Sequence, residues 1–572
     1  MLEKYINAAI KKEICDLVIK NATFVDVFNM EIKKGDIAIK DDRIVGIGNY
    51  KGKKEINGEN KIIIPGLIDG HVHIESSTVS VEEFSKEILK RGTTTIIADP
   101  HEICNVIGVK GLDYIINASK NTPLTIKLQF PSCVPSSKFE TSGAILDDKV
   151  VKEYIKNPNI NGLGEFMDYQ SVINAEKETI NKLETTLNAN KVIDGHAPLL
   201  KNEELNAYLC SGISTDHECV NGEEVLEKIS KGMYVHLRIG SLAQALDFVH
   251  VINDFNYHRF MVCTDDKQIS EILKNGHIDY IVKNLINAKL NPLIAISLAT
   301  INIATCYKLD YVGAIAPFYK ADLLMIDNFN DFNIKMVIKN GKIVVEDNEV
   351  LFDTSKRFLP DYVKDTILIN ELNEDDFKIK INSKKARAIT LNPQTLITKE
   401  EIVEINNKND DIDVSNADLS KLYVIERHGK NGNISKGLLK DYGFKGGAMG
   451  ISCAHDSHNI ILIGDDNKSL LLAVKELKRI GGGVVLVNKL ENSVESIAFD
   501  IAGLMSSKDS HKYSEELEKL SKKAYKMGVN PFKIPFFSLS FLALPVIPHI
   551  RLLDKGLFDV DKFNYLSLEV KE

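Results

Sequence analysis

The sequence predicts a mixed α/β protein: a TIM-like (β/α)8 barrel, a small composite β-sandwich domain and a C-terminal α/β domain. Three observations carry this. Eight short apolar runs alternate with helical stretches through the middle of the chain. β-rich segments lie on both sides of that middle. Polar residues collect where the eight runs end. At 572 residues the chain exceeds one ordinary domain, so several units are expected.

The first β-rich segment covers residues 16–49, where DLVIKNATFVDVF, GDIAIK and DRIVGIG are broken by Gly and Asp-Asp turns. The same signals return at 321–326 and 335–345, and MVIKNGKIVV carries an Asn-Gly hairpin signal. Two such flanks imply one small domain built from residues 1–60 and 311–360 around a barrel at 61–310. The barrel strands read LIDGHVHI, TTTIIADPH, LTIKLQF, INGLGEF, KVIDGH, GISTDH, MYVHLR and RFMVCTDD. They end near His73, Asp99, Phe130, Glu165, His196, His217, Arg238 and Asp265, so each unit takes 21 to 35 residues. Eight βα units at that spacing argue for a closed barrel, with function at the C-terminal ends of its strands. Residues 366–572 open on the charge-rich LNEDDFKIKINSKKARA. They then mix strands (KLYVIER, NIILIG, GGGVVLVN) with helices (LLLAVKELKRI, HKYSEELEKLSKKAYKM), which reads as a separate domain.

Composition narrows the function classes. Lys+Arg number 71 and Asp+Glu 80, a formal charge of −9, which leaves no basic footprint for nucleic acid. The most apolar stretch, 536–550, is interrupted by Pro545 and Pro548 and falls short of the roughly 18 residues of a membrane span. The first twenty residues scatter charges and lack the apolar core of a secretory signal. Eight cysteines form no CxxC pair, so neither a disulfide framework nor a cysteine-rich zinc site is expected, and a cytoplasmic location fits.

The histidines and acids carry the chemistry. His71 and His73, two apart on a strand, project from one face and can bind one metal. With Glu165, His196, His217 and Asp265 they bring four imidazoles and two carboxylates to one barrel mouth, a donor set for divalent ions. Asp99, His101 and Glu102 lie just beyond the second strand. They are candidates for acid–base work and ring contact, with a turn role before Pro100 as the alternative for Asp99.

The order His-x-His, acid, His, His, Asp resembles the amidohydrolase superfamily. The finer motifs resemble its bacterial and archaeal adenine deaminase family: PGLIDGHVHIESS, GTTTIIADPHEI, PSCVP, ETSGA, GLGEFM, IDGHAP, GISTDHE, CTDD and GHID. GAIAPFYKADLL, ERHG, AHDSHNI, IAGLMS and FLALPVIP extend the match over nearly the whole chain. Two positions depart from the family pattern, Ile239 after Arg238 and Gln268 after Lys267, and both bear on the pocket rim. Dihydroorotases and hydantoinases resemble the same barrel but bridge their metals with a carboxylated lysine, where this chain has Glu165. His73-Ile74-Glu75 fits the H-x-E of the zinc nucleobase deaminases, yet no P-C-x-x-C follows, so that match is accidental.

The resemblance implies hydrolytic deamination of adenine to hypoxanthine and ammonia in purine salvage. The expected metal content is two divalent ions per chain, manganese or iron being favoured and zinc admitted. His71, His73 and Asp265 are expected at one ion and His196 and His217 at the other, with Glu165 bridging. A metal-bridging hydroxide would attack C6 while Asp265 shuttles its proton. The expected partner is the small molecule adenine, with no nucleic acid or membrane, and the family suggests a homo-oligomer. Another cyclic amidine or amide hydrolase, or a metal-binding protein without activity, are the competing readings.

Other candidates weigh less. His236 and Arg238 fit barrel-lining contacts as well as substrate contacts, and Ser132 and Cys133 read as pocket-shaping residues. His455, Asp456 and His458 read as a hydrogen-bonded loop, or as a segment closing over the mouth, in preference to a second metal site. Residues 481–483 read as a turn before a strand, and the Lys-rich helix at 514–526 as a solvated face.

Overall fold

The computed structural model describes residues 2–241, 245–392, 397–414 and 418–571. All eight expected barrel strands form: β1 (Leu67–Val72), β2 (Thr93–Ala98), β3 (Thr125–Phe130), β4 (Ile160–Phe166), β5 (Val192–Gly195), β6 (Thr215–Asp216), β7 (Tyr234–Arg238) and β8 (Phe260–Cys263). β1 through β5 pair in order as one parallel sheet, and β6 through β8 as a second. Ser214 N donates to Ile193 O at 3.2 Å across the seam between β5 and β6. A parallel bridge between Val72 and Asp265 and an Asp265 N to His71 O bond of 3.0 Å close β8 onto β1.

β2 and β8 are apolar or β-branched along their length, as suits strands covered on both faces, while the other strands also carry charged or polar residues. β1 and β2 are buried at every position. Four of the helices around the barrel start on side-chain caps that satisfy the first free N–H groups. Ser80 caps the helix Val81–Lys90, Asp147 caps Asp148–Tyr154, and Asn221 caps Gly222–Ser230. Asn291 caps Pro292–Leu298, where Pro292 occupies the first turn, the position that needs no N–H.

The two flanking segments build one nine-stranded sheet. Its junction is the strand Ile62–Pro65, which pairs in parallel with Cys15–Asp26 and antiparallel with Leu323–Ile326. Where a composite sandwich was expected, the two flanks form strands of one sheet. At the Asn340-Gly341 hairpin turn both residues have positive φ, 49° and 74°. Gly341 packs so closely on the first flank that a Cβ would stand 1.8 Å from Asp41 O. Leu17, Ile37 and Ile39 from one flank and Leu323, Met325 and Ile338 from the other share one apolar core.

The C-terminal region holds an eight-stranded sheet, on which the helix Asn467–Arg479 packs through Leu470, Ala473, Val474 and Leu477. The turn at 481–483 leads into the strand Gly483–Asn488, as its glycines suggest. The helix Ser510–Lys526 buries Tyr513, Leu520 and Ala524. Its N-terminus meets the barrel: Ser510 Oγ donates to Glu87 Oε1 at 2.9 Å, and Lys86 Nζ reaches Asp509 Oδ2 at 2.9 Å. Among the described residues, no helix is long and apolar enough to cross a membrane.

Candidate active site

Closure of the barrel brings the expected residues to one mouth. His71 and His73 face each other through their Nε2 atoms at 3.1 Å. His73 Nε2 also lies 3.1 Å from both Glu165 Oε1 and Asp265 Oδ1, and His71 Nε2 stands at 3.5 and 3.6 Å from the same oxygens. The other oxygen of Glu165 turns the opposite way, 2.7 Å from His196 Nδ1 and 3.4 Å from His217 Nε2. Glu165 therefore stands between two histidine pairs, with one oxygen on each.

The backbone and buried supports fix this geometry. Glu165 N donates to Asp99 Oδ2 at 2.9 Å, and Ser132 Oγ donates to Glu165 O. His73 Nδ1 meets Asp99 O at 2.8 Å, which aims its Nε2 at the cluster. Asp69 accepts from Thr264 N at 3.1 Å and from Thr264 Oγ1 at 2.5 Å, tying β1 to the end of β8. Tyr208 holds the start of the β5 loop by accepting from His196 N at 2.9 Å and donating to Phe166 O at 2.7 Å. Asp265 adopts a left-handed φ of 55°, which Asp tolerates better than most residues.

Electrostatics suit cations. Burial opposes charge on His71, yet the Asp194 and Glu165 carboxylates outweigh it and push the ring up to about 10. His196 behaves likewise: burial opposes its charge, and Glu218 and Glu165 push it up to about 9. Burial would raise Glu165, but His196, His217, His71 and His73 hold it well below the usual carboxylate range. Carboxylates that draw protons onto imidazoles would equally balance a dication. His71 Nδ1, Asp99 Oδ1 and His101 Nδ1 are buried without a hydrogen-bond partner. The groups His71–His73–Asp265, His71–Glu165–His217 and His73–His101–Glu165 each bring their donor atoms within 4.8 Å of one another. The mixed N/O donor set fits zinc, manganese or iron.

Models of two families cover most of the chain. The amidohydrolase family matches residues 62–344, and the adenine deaminase C-terminal domain matches 395–564. The N-terminal domain of the urease alpha-subunit matches 4–68. An adenine deaminase of Clostridium acetobutylicum is 44% identical over 569 residues, covering 99% of this chain and 100% of the relative. Adenine deaminases of Geobacillus kaustophilus and Bacillus subtilis are 41% and 40% identical, over 99% of this chain and 99% and 98% of theirs. The chain belongs to the adenine deaminase family.

Within this pocket Glu218 and Asp194 join the cluster without having been expected there, and Arg238 makes the barrel-lining contacts that were one of its two expected roles. Glu218 Oε1 lies 3.6 Å from His217 Nε2 and 3.9 Å from His196 Nδ1. Arg238 bridges Glu218 and Asp265, with Nη1 2.5 Å from Asp265 Oδ2 and Nη2 3.0 Å from Glu218 Oε2. Asp194 stands 3.8 Å behind His71 Nδ1 and accepts from Gln129, Thr215 and Tyr307. Their signal was adjacency: Glu218 follows His217, and Asp194 precedes His196 by two.

His101 lies nearer the centre than a ring-contact role requires, 3.6 Å from Glu165 Oε1. Glu102 is buried, with Oε1 3.6 Å from His101 Nε2, and it also meets His455 and His458 of the C-terminal domain. His236 is buried, and burial lowers it to about 3; its Nε2 lies 3.3 Å from the Tyr307 hydroxyl. Ile239 is buried, and its N–H donates to Cys263 O at 3.1 Å. Gln268 N donates to Ser241 Oγ at 3.0 Å, and the Lys267 ammonium sits 5.0 Å from the centre of the Tyr280 ring.

Proposed function

We propose that this chain is a hydrolase that deaminates adenine to hypoxanthine and ammonia in purine salvage. The observation that carries the reading is the full-length kinship with adenine deaminases, joined to a barrel mouth where Glu165 stands between two histidine pairs. In this reading His71, His73 and Asp265 hold one divalent ion, His196 and His217 the other, and Glu165 both. Manganese or iron is the native metal, with zinc as the alternative. When bound, the ions lower the pKa of water to roughly 7 and so supply a nucleophile for C6.

The chain's own groups handle the protons. Asp265 has Oδ2 held on Arg238, which leaves Oδ1, beside His71 and His73, to accept the nucleophile's proton. The purine ring must gain a proton as C6 becomes tetrahedral, and the leaving amine must gain another. Asp99, His101 and Glu102 are assigned to that proton traffic and to contact with the ring, because all three are buried beside the cluster. Arg238 helps to hold Asp265 well below the usual carboxylate range against the effect of burial, and it ties Glu218 to the same site.

Residues 1–60 and 311–360 are assigned to the small sheet domain, 61–310 to the barrel and 366–572 to the C-terminal domain. The protein is placed in the cytoplasm, in keeping with its eight free cysteines, and as a homo-oligomer. The test is turnover on adenine, adenosine, cytosine and dihydroorotate, followed by ammonia release for the three amino-bearing substrates and by absorbance for dihydroorotate, whose ring opens without losing ammonia. Turnover of adenine alone supports the reading, and turnover of dihydroorotate or cytosine instead of adenine contradicts it.

A further inference from the structure

The C-terminal domain reaches into the barrel mouth through the loop 452–459, which joins the strands Gly447–Ile451 and Ile460–Gly464. This loop meets Glu102, the second residue of helix α1 (His101–Ile107), which follows β2. His455 Nδ1 hydrogen-bonds Glu102 Oε1, and His458 Nε2 lies 2.5 Å from Glu102 Oε2. The Ala454 N–H donates to His458 Nδ1 at 3.0 Å, which leaves the His458 proton on Nε2, facing the carboxylate. Glu102 thus lies between two histidines of the C-terminal domain and is hydrogen-bonded to one of them.

The consequence falls on His455. A carboxylate at Nδ1 orients an imidazole and commits its other nitrogen to whatever lies beyond. The ring is also stacked on Phe541, with centroids 4.5 Å apart and planes 13° apart. Its Nε2 is buried without a hydrogen-bond partner. His455 lines a cavity with Ser76, Gln268 and Ser540. Ser76 is hydrogen-bonded to Asp266, the residue after Asp265, which links one wall of this cavity to the proposed reaction centre. A buried polar atom without a partner is costly, and a bound ligand can supply the missing one.

We infer that His455 is a substrate-contacting residue supplied by the C-terminal domain, oriented by Glu102, whose Nε2–H donates to a ring nitrogen of the purine. The inference rests on the adenine reading above. Burial opposes charge on His455, but Glu102 and Asp266 outweigh it and push the ring up to about 9, the direction that favours a proton on both ring nitrogens. A purine ring offers nitrogen acceptors at N1, N3 and N7, and the stack on Phe541 fixes the plane of the His455 ring. The domain then helps to select the substrate as well as to cover the barrel.

The experiment uses the metal-loaded full chain and inhibition by 1-deaza-, 3-deaza- and 7-deazaadenine, each with one ring nitrogen replaced by C–H. One analogue is expected to bind the wild type about 10- to 100-fold more weakly than adenine. In His455→Phe, which keeps an aromatic ring and loses the donor, that discrimination should vanish and the adenine KM should rise by a similar factor. Metal content should be unchanged. His455→Gln, which keeps an N–H donor, should recover part of the loss. An unchanged analogue penalty in His455→Phe, or wild-type kcat and KM in that variant, overturns the inference. If neither variant folds, the wild-type series decides: equal binding of all three analogues overturns it, and a penalty at one nitrogen supports it. Wild-type protein that leaves adenine untouched would instead overturn the functional reading.

Discussion

His196 Nδ1 lies 2.7 Å from Glu165 Oε2, while the other oxygen of that carboxylate is 3.1 Å from His73 Nε2. One side chain therefore joins the two histidine pairs. Replacing it with Glu165→Ala should lower the metal content from about two ions per chain to one or none and abolish turnover. Metal analysis of the purified variant checks this. Two ions retained with normal activity would remove Glu165 from the centre.

Asp265→Asn keeps the size of the side chain and removes its basicity. Turnover should fall by roughly 10²- to 10⁴-fold, the usual contribution of a positioned proton acceptor. The adenine KM should change far less. Steady-state kinetics on metal-loaded protein separates the two. An unchanged kcat would assign the proton to another group.

Arg238 sits between Glu218 and Asp265, and its side chain is mostly buried. Arg238→Met would leave the buried Asp265 and the partly buried Glu218 carboxylates without their shared cation. The variant should lose about 3–5 kcal/mol of stability, the usual cost of breaking a buried pair from one side. Denaturant unfolding of the metal-free proteins measures it. A loss below about 1 kcal/mol would show that the two acids find other partners.

Asp26 in the small sheet domain makes a pH prediction. Burial would raise it, yet Lys33, Asn29 and the N–H groups of Phe28 and Asn29 pull it down to about 2. A lowered carboxyl stabilises the fold above its unfolded pKa of about 3.9, and that stability is lost as the pH falls toward 2. Asp26→Asn should therefore be less stable than wild type at pH 6, by up to about 2 kcal/mol. The gap should close near pH 2. Unfolding midpoints at both pH values check it, and a gap independent of pH would show that only hydrogen bonding was lost.

Much of this architecture was legible because barrels leave a periodic signature. The eight strand ends from His73 to Asp265 sit where the parallel pairing places them, and the Asn340-Gly341 turn forms as its residues require. The site was legible wherever a ligand-type residue ended a strand, as with His71, His73, Glu165 and His196. It was not legible where the contact crosses the chain. Glu102 and His455 are 353 positions apart, and no local pattern joins them. Arg238 looked ambiguous because its two partners, Glu218 and Asp265, stand on different strand ends that only barrel closure brings together. The spacing of His455 and His458 suggested a loop, and the loop exists, but its target could be seen only in three dimensions.

The central claim is metal-dependent deamination of adenine at this barrel mouth. The most direct measurement is adenine turnover by metal-free protein reconstituted separately with manganese, iron and zinc. The account predicts hypoxanthine and ammonia in equal amounts, rising with bound metal to a limit at about two ions per chain. Protein that binds two ions and leaves adenine unchanged would contradict it.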